Sequence, residues 1–185
     1  MEISSAKTAD LMMITLFKKT QLKMLSVNPR FLLDGMLGSL ASWLRICGYD
    51  SIYHKDMNDD SLIAEANKEH RILLTRDKQL YERCKKHNVT SYYVMGDKII
   101  EQLSYLCINM GISLTPSSSR CSNCNSEIMP VDKDDIKDKI PENSYKHYDE
   151  FWKCNSCDKV FWMGSHWNKI LETLNLAQEG CEQNL

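Results

Sequence analysis

Nowhere in this chain do about 18 apolar residues follow one another, so no segment reads as a membrane-spanning helix. Charge of one dominant sign is missing too: 23 Lys and Arg stand against 25 Asp and Glu, a formal net charge of −2. A strongly basic chain would announce nucleic-acid binding through its overall field. This one would have to bind through local patches, helped by cations that neutralise its acids. Internal repeats are absent, as is low-complexity sequence beyond the short serine run 117–119, which excludes repeat arrays and long disordered tracts. The 185 residues present suffice for one well-buried core with a small appendage.

Cysteine, by contrast, is plentiful. Of eight, four form the pairs Cys121-x-x-Cys124 and Cys154-x-x-Cys157, while Cys47, Cys84, Cys107 and Cys181 are scattered through mostly apolar surroundings. The even spacing of a secreted disulfide framework is not there. The pairing favours a metal in a reducing compartment, hence a cytoplasmic protein, with the scattered four as buried thiols. Residues 1–29 carry Lys7, Lys18, Lys19 and Lys23 against Glu2 and Asp10, with Arg30 just beyond, and read as a basic N-terminal extension.

From Phe31 to about Leu114 the pattern alternates strand and helix. Residues 31–34 form a short apolar strand, and Leu37, Leu40, Ala41 and Leu44 then mark one helix face, stopped by Gly48. Residues 51–54 read as a second strand and 71–75 as a third, with a helix between them whose expected N-cap is Asp59 and whose inner face is Leu62, Ile63 and Ala66. A helix over 78–87, a strand within 89–95 and a helix capped by Asp97 complete the series. The order βαβαβαβα predicts a parallel sheet covered by helices on both faces. After Pro116 the composition changes, and a second, smaller domain starts near Arg120.

Ligands of such sheets bind beyond the carboxyl ends of the strands. Asp34 and Asp77 both stand at that position, and Asp59-Asp60 opens the helix between them. Each acid alone reads equally as a helix cap. Gathered at one edge they would repel unless cations neutralised them, and hard cations such as Mg²⁺ or Mn²⁺ choose carboxylate oxygens. Phosphodiester cleavage is the chemistry such a site serves, with the ion activating water and neutralising the phosphate. Thr75 could orient a carboxylate or bind phosphate, and Arg76 and Lys78 flank Asp77 as candidate backbone contacts. A phosphatase with an aspartate nucleophile would want a second aspartate two positions after Asp34, where Met36 stands.

The cysteine pairs are separated by 29 residues, longer than the usual ~15–20, so an insertion must lie between two metal knuckles. Four thiolates complete a tetrahedral zinc site with no open position, which makes the zinc structural; a redox CxxC is the alternative. Trp152, Phe161, Trp162, His166 and Trp167 surround the second pair and could stack on bases or pack around the metal.

The runs RFLLDGMLGSLASWLRICGYD, NDDSLIAEA and RILLTRD, followed by RCSNCNSEIMPVDKDDIKDKIP and YDEFWKCNSCDKVFWMGSHW, resemble the Mut-seven C-terminal ribonuclease family of PIN-like nucleases over about residues 30–168. The resemblance implies an α/β fold: a PIN-like parallel sheet sandwiched by helices (30–115), a small zinc ribbon (120–168) and a C-terminal helix or tail (169–185). It implies metal-dependent RNA cleavage, with Asp34, Asp59, Asp60 and Asp77 as catalytic acids. Mg or Mn would be held by Asp34, Asp60 and Asp77, the choice between Asp59 and Asp60 being left open, and structural zinc by Cys121, Cys124, Cys154 and Cys157. Thr75, Arg76, Lys78, Arg45, His166 and Trp167 are the expected RNA contacts, with the ribosome or tRNA as candidate partners. Gln79 stands where many PIN domains carry a further acid, and Asn58 where an acid is expected. A non-catalytic RNA- or ribosome-binding protein on the same scaffold is the alternative.

Overall fold

The structure, a computed structural model, describes residues 28–183; the expected basic N-terminal extension lies almost wholly outside the described residues. Four short strands, β1 (Phe31–Leu33), β2 (Ser51–Tyr53), β3 (Ile72–Thr75) and β4 (Ser91–Tyr93), form a parallel sheet in the order β2-β1-β3-β4. In register, Leu32 stands beside Ile52 and Leu73, and Leu74 beside Tyr92. Helices α1 (Gly38–Ile46), α2 (Asp59–Glu69) and α3 (Lys78–Lys86) connect successive strands, and α4 (Ile99–Met110) follows the last.

Because side chains alternate across a strand, the two faces of the sheet take different helices. Leu32 and Leu73 pack with Leu62, Ile63 and Ala66 of α2 and with Leu80 and Cys84 of α3. Phe31, Leu33 and Leu74 point the other way, into a core with Leu40, Ala41 and Leu44 of α1 and Leu103, Leu106 and Cys107 of α4. Both faces are thus covered, as the apolar strand runs demand. Gly48, at φ +94°, turns the chain out of α1 in a conformation that an L side chain rarely adopts.

Two helix starts differ from the sequence reading. Asn58, not Asp59, caps α2, its side chain accepting from the Ser61 amide at 3.0 Å. Asp59 is therefore the first helical residue, and its carboxylate is not used on its own helix. At α4, Asp97 is not the cap; Lys98 holds that position, and the amides of Asp97 and Lys98 donate back to Glu101 at 2.9 and 3.2 Å.

The second unit is an antiparallel sheet of β5 (Ile128–Val131), β6 (Phe151–Cys154) and β7 (Val160–Trp162), in that order. The expected insertion between the cysteine pairs supplies β5, a 3₁₀ turn (Asp134–Lys139) and the short helix α5 (Glu142–His147), and Ile136 and Ile140 bury themselves against Phe151. The last helix, α6 (Ser165–Glu182), runs straight through the boundary drawn at residue 168. It leaves the ribbon and buries Leu174, Ala177 and Cys181 in the α1/α4 core of the first unit. The Ser104 hydroxyl donates to the Ala177 carbonyl at 2.8 Å. Two of the four cysteines taken as buried thiols are not thiols: Cys107 and Cys181 are joined as a disulfide between α4 and α6. Cys47 and Cys84 are free and buried, and burial pushes the Cys47 thiol up to about 12.

Candidate active site and zinc centre

The chain leaves β1 through α1 toward β2 on one side, returns through α2 to β3 on the other, and proceeds to β4. The direction of winding therefore reverses between β1 and β3, and the crevice of a doubly wound sheet opens at that point beyond the carboxyl ends. Asp34 and Asp77 follow these two strands.

Asp34 is buried, 4% exposed. Its Oδ1 accepts the Met36 amide at 2.8 Å, and its Oδ2 accepts the Thr75 hydroxyl and the Arg76 amide, the latter at 3.3 Å. The Thr75 oxygen in turn accepts the Asp77 amide at 2.8 Å. One hydroxyl thus ties the acid after β1 to the backbone of the acid after β3. Thr75, expected either to orient a carboxylate or to contact RNA, is fully buried with its hydroxyl donated to Asp34. Gly35 is required beside Asp34, because a Cβ there would collide with the Lys55 carbonyl oxygen.

Asp77 is exposed and caps α3, its Oδ1 accepting from the amides of Gln79 at 2.6 Å and Leu80 at 3.2 Å. Asp59 and Asp60 both turn to Arg83 of α3: Asp59 Oδ2 lies 2.9 Å from one guanidinium nitrogen and Asp60 Oδ1 pairs with the other. The sequence carries no signal for this role of Arg83, a basic residue in the last turn of α3, where cations are ordinary. Arg76 pairs with Asp97 at 2.6 Å, and Lys78 is exposed with its ammonium 6.0 Å from the Tyr93 ring centroid.

The four aspartates therefore share one edge without sharing one cradle. Among the described residues, only the cysteine quartet brings three or more His, Cys, Asp or Glu ligand atoms close enough to hold a metal ion. The donor set is chemically suited to a hard cation, but as arranged Asp59 and Asp60 are held by an arginine and Asp77 by its own helix. The expected Mg or Mn cradle of Asp34, Asp60 and Asp77 is not assembled.

Zinc is a different matter. The sulfurs of Cys121, Cys124, Cys154 and Cys157 all lie within 4.8 Å of one another, with Cys121–Cys157 at 3.6 Å and Cys124–Cys154 at 3.4 Å. Four sulfurs about 2.3 Å from one tetrahedral ion would show such separations. The amides of Ser156 and Cys157 point at the Cys154 sulfur at 3.4 and 3.5 Å, donors that stabilise a thiolate. The residues fit a closed, structural zinc site, and its insertion-bearing ribbon would lack an adequate core without it.

The first knuckle is bolted to the amino end of the parallel sheet, opposite the aspartates. Arg45 is buried; its Nε donates to the Ser51 carbonyl at 2.8 Å and one terminal nitrogen to the carbonyls of Ser122 and Asn123, both at 3.1 Å. Expected as an RNA contact, Arg45 sits beside Ala41 and Leu44 on the inner face of α1, where its guanidinium binds the carbonyls of the knuckle. Asn125 accepts from the Ser51 amide at 2.9 Å and donates to Asp50 at 2.7 Å. Arg71 grips the same Asp50 carboxylate at 2.9 and 3.1 Å. Burial alone would raise the Asp50 pKa, but the hydrogen bonds from Arg71 and Asn125 outweigh it and hold the carboxyl at about 2. His166 is exposed and Trp167 half-buried at the start of α6, on a groove between the ribbon and the end of α1.

A parallel sheet with a buried acid at its switch point, carrying a ribbon whose four cysteines could hold zinc, defines an α/β protein with a small appended domain. The family model of the Mut7-C RNAse domain matches residues 29–174, and the chain belongs to that family. Searches of curated proteins and of solved structures give no match.

Proposed function

We propose that this protein is a ribonuclease that hydrolyses RNA phosphodiester bonds at the carboxyl edge of the parallel sheet, with a requirement for Mg²⁺ or Mn²⁺. The observation that carries the reading is the Asp34–Thr75–Asp77 linkage, which fixes a buried carboxylate at the switch point of the sheet in a chain of the Mut7-C RNAse domain family. Hydrogen bonds from Met36, Thr75 and Arg76 occupy about three of the carboxylate's roughly four lone-pair positions, leaving one for the reaction. Asp34 and Asp77 are the proposed metal ligands, with Asp60 joining once Arg83 releases it; Asp59 is the alternative to Asp60. Arg76 and Lys78 stand beside Asp77 to hold the phosphate backbone, and His166 and Trp167 are proposed RNA contacts on the ribbon.

Purified full-length chain with labelled RNA tests this. Cleavage should depend on added Mg²⁺ or Mn²⁺ and fall by ~10²-fold or more in Asp34→Asn and in Asp77→Asn. Activity that survives both substitutions overturns the site. A second reading, an RNA- or ribosome-binding protein without turnover, is favoured by one observation: Asp59 and Asp60 are already paired with Arg83. Stable co-sedimentation with ribosomes, or with tRNA, in the absence of any cleavage would decide for it.

A further inference from the structure

The ribbon sheet has two faces, and only one carries a buried cluster. Phe151 and Trp162, paired across β6 and β7, turn toward Ile136 and Ile140. Trp152 and Phe161 are the next cross-strand pair and point to the other side, joined by Pro130 opposite Trp152. Neither Trp152 nor Phe161 belongs to any buried core. Instead they line a groove of about 690 Å³ whose far wall includes Trp167 of α6 and Ile46 at the end of α1.

The groove's charge identifies its occupant. Arg120, Lys159 and His166 line it, and no Asp or Glu does, in a chain whose acids outnumber its bases. Lys159 is exposed, with its ammonium 5.6 Å from the Phe161 ring centroid at the groove wall. Flat aromatic faces bordered by cations and free of acids match unpaired bases on a phosphate backbone, since every base has a face to stack and every linkage a negative charge. A stacked duplex offers its bases to no such surface. We infer that this groove is a single-strand RNA platform, with Trp152 and Phe161 stacking bases and Lys159 holding backbone. The inference rests on the proposed function for the identity of the nucleic acid and deepens it by placing a second RNA site away from the acids.

Its position gives it a measurable consequence. Ile46 ends the nine-residue helix α1, which starts beside Asp34 and runs to the amino end of the sheet. At 1.5 Å per residue, about 13 Å of helix separates the groove from the acidic edge. An RNA must therefore span several nucleotides to use both. Groove variants should raise KM for long single-stranded RNA without lowering kcat, and should be neutral on oligonucleotides too short to reach.

The test uses full-length zinc-loaded protein without added Mg²⁺ or Mn²⁺, a labelled unstructured 20-nucleotide RNA, and the same RNA as a duplex. The single strand should quench tryptophan fluorescence and bind at least about tenfold more tightly than the duplex. Trp152→Ala and Phe161→Ala should each weaken binding about tenfold. Lys159→Gln should reduce the slope of log K against log salt by about 0.7. Zinc content of one per chain in each variant verifies the fold, and the exposed Lys159 keeps the test available if an aromatic variant does not fold. Unchanged binding in all variants, equal binding of duplex, or a groove that mediates self-association instead would overturn the inference. Binding of this kind with no cleavage under Mn²⁺ leaves the platform standing and removes the nuclease reading. Cleavage lost in Asp34→Asn, with binding unaffected in every groove variant, does the reverse.

Discussion

Asp77 performs two tasks that one substitution series can separate. Its side chain caps α3, and Asn caps nearly as well as Asp, whereas Ala costs about 1 kcal/mol. Asp77→Asn should therefore unfold in denaturant close to wild type yet lose cleavage, while Asp77→Ala should lose both. Arg83 is the second residue to probe. It competes for Asp59 and Asp60 with any cation at the edge, and a half-exposed pair of this kind is worth roughly 0.2–1 kcal/mol. Arg83→Gln should lower the Mn²⁺ concentration for half-maximal cleavage by about two- to fivefold; an unchanged or higher requirement would show that the pairing does not restrain the site. Asp50 sets a pH limit at the opposite edge. Its folded pKa of about 2 lies below the ordinary 3.8, so its stabilisation is full above about pH 4 and is lost as pH falls toward 2. Acid unfolding followed by circular dichroism should show this loss in wild type, and Asp50→Asn should be less stable at pH 7 by about 1–3 kcal/mol and flatter across that window.

Helices and strands were legible wherever burial repeats. Leu40, Ala41 and Leu44, then Leu62, Ile63 and Ala66, repeat at helical spacing because one side of each helix meets the sheet. Their first residues were less legible. Asn58, Asp59 and Asp60 are three adjacent side chains able to cap, and which one does so depends on where the chain leaves β2, not on residue type. The contacts of Arg45 are hidden in the sequence for a similar reason: only the docked ribbon supplies the Ser122 and Asn123 carbonyls that its guanidinium binds. The acids themselves were found from their positions after apolar runs, but Arg83 becomes their partner only once α2 and α3 lie side by side. The pairing of Cys107 with Cys181 was equally hidden, since the two are 74 residues apart and meet only because α6 returns to α4. Chain entropy for such a loop suggests about 4 kcal/mol of stabilisation. Cys107→Ala/Cys181→Ala should lower stability in denaturant by that order, and mass spectrometry after alkylation should find two fewer modified sulfurs in unreduced wild type than after reduction.

Across the whole molecule, the zinc ribbon and the parallel sheet are fastened at two places, the Arg45–Asn125–Asp50 contacts and α6. Stripping zinc with a chelator should release one ion per chain and collapse the ribbon's small core of Ile136, Ile140 and Phe151, while most of the parallel-sheet circular dichroism remains. RNA affinity through the groove should fall with it. Helix α6 has a further consequence for how the protein can come into being. Leu174, Ala177 and Cys181 complete a core whose α4 members, Leu103, Leu106 and Met110 among them, are made some seventy residues earlier. During synthesis that apolar surface must wait, uncovered, until α6 has emerged. A chain truncated before Leu174 would keep its aspartates and its cysteines and still be born with an open flank, a substrate for chaperones and proteases rather than for RNA.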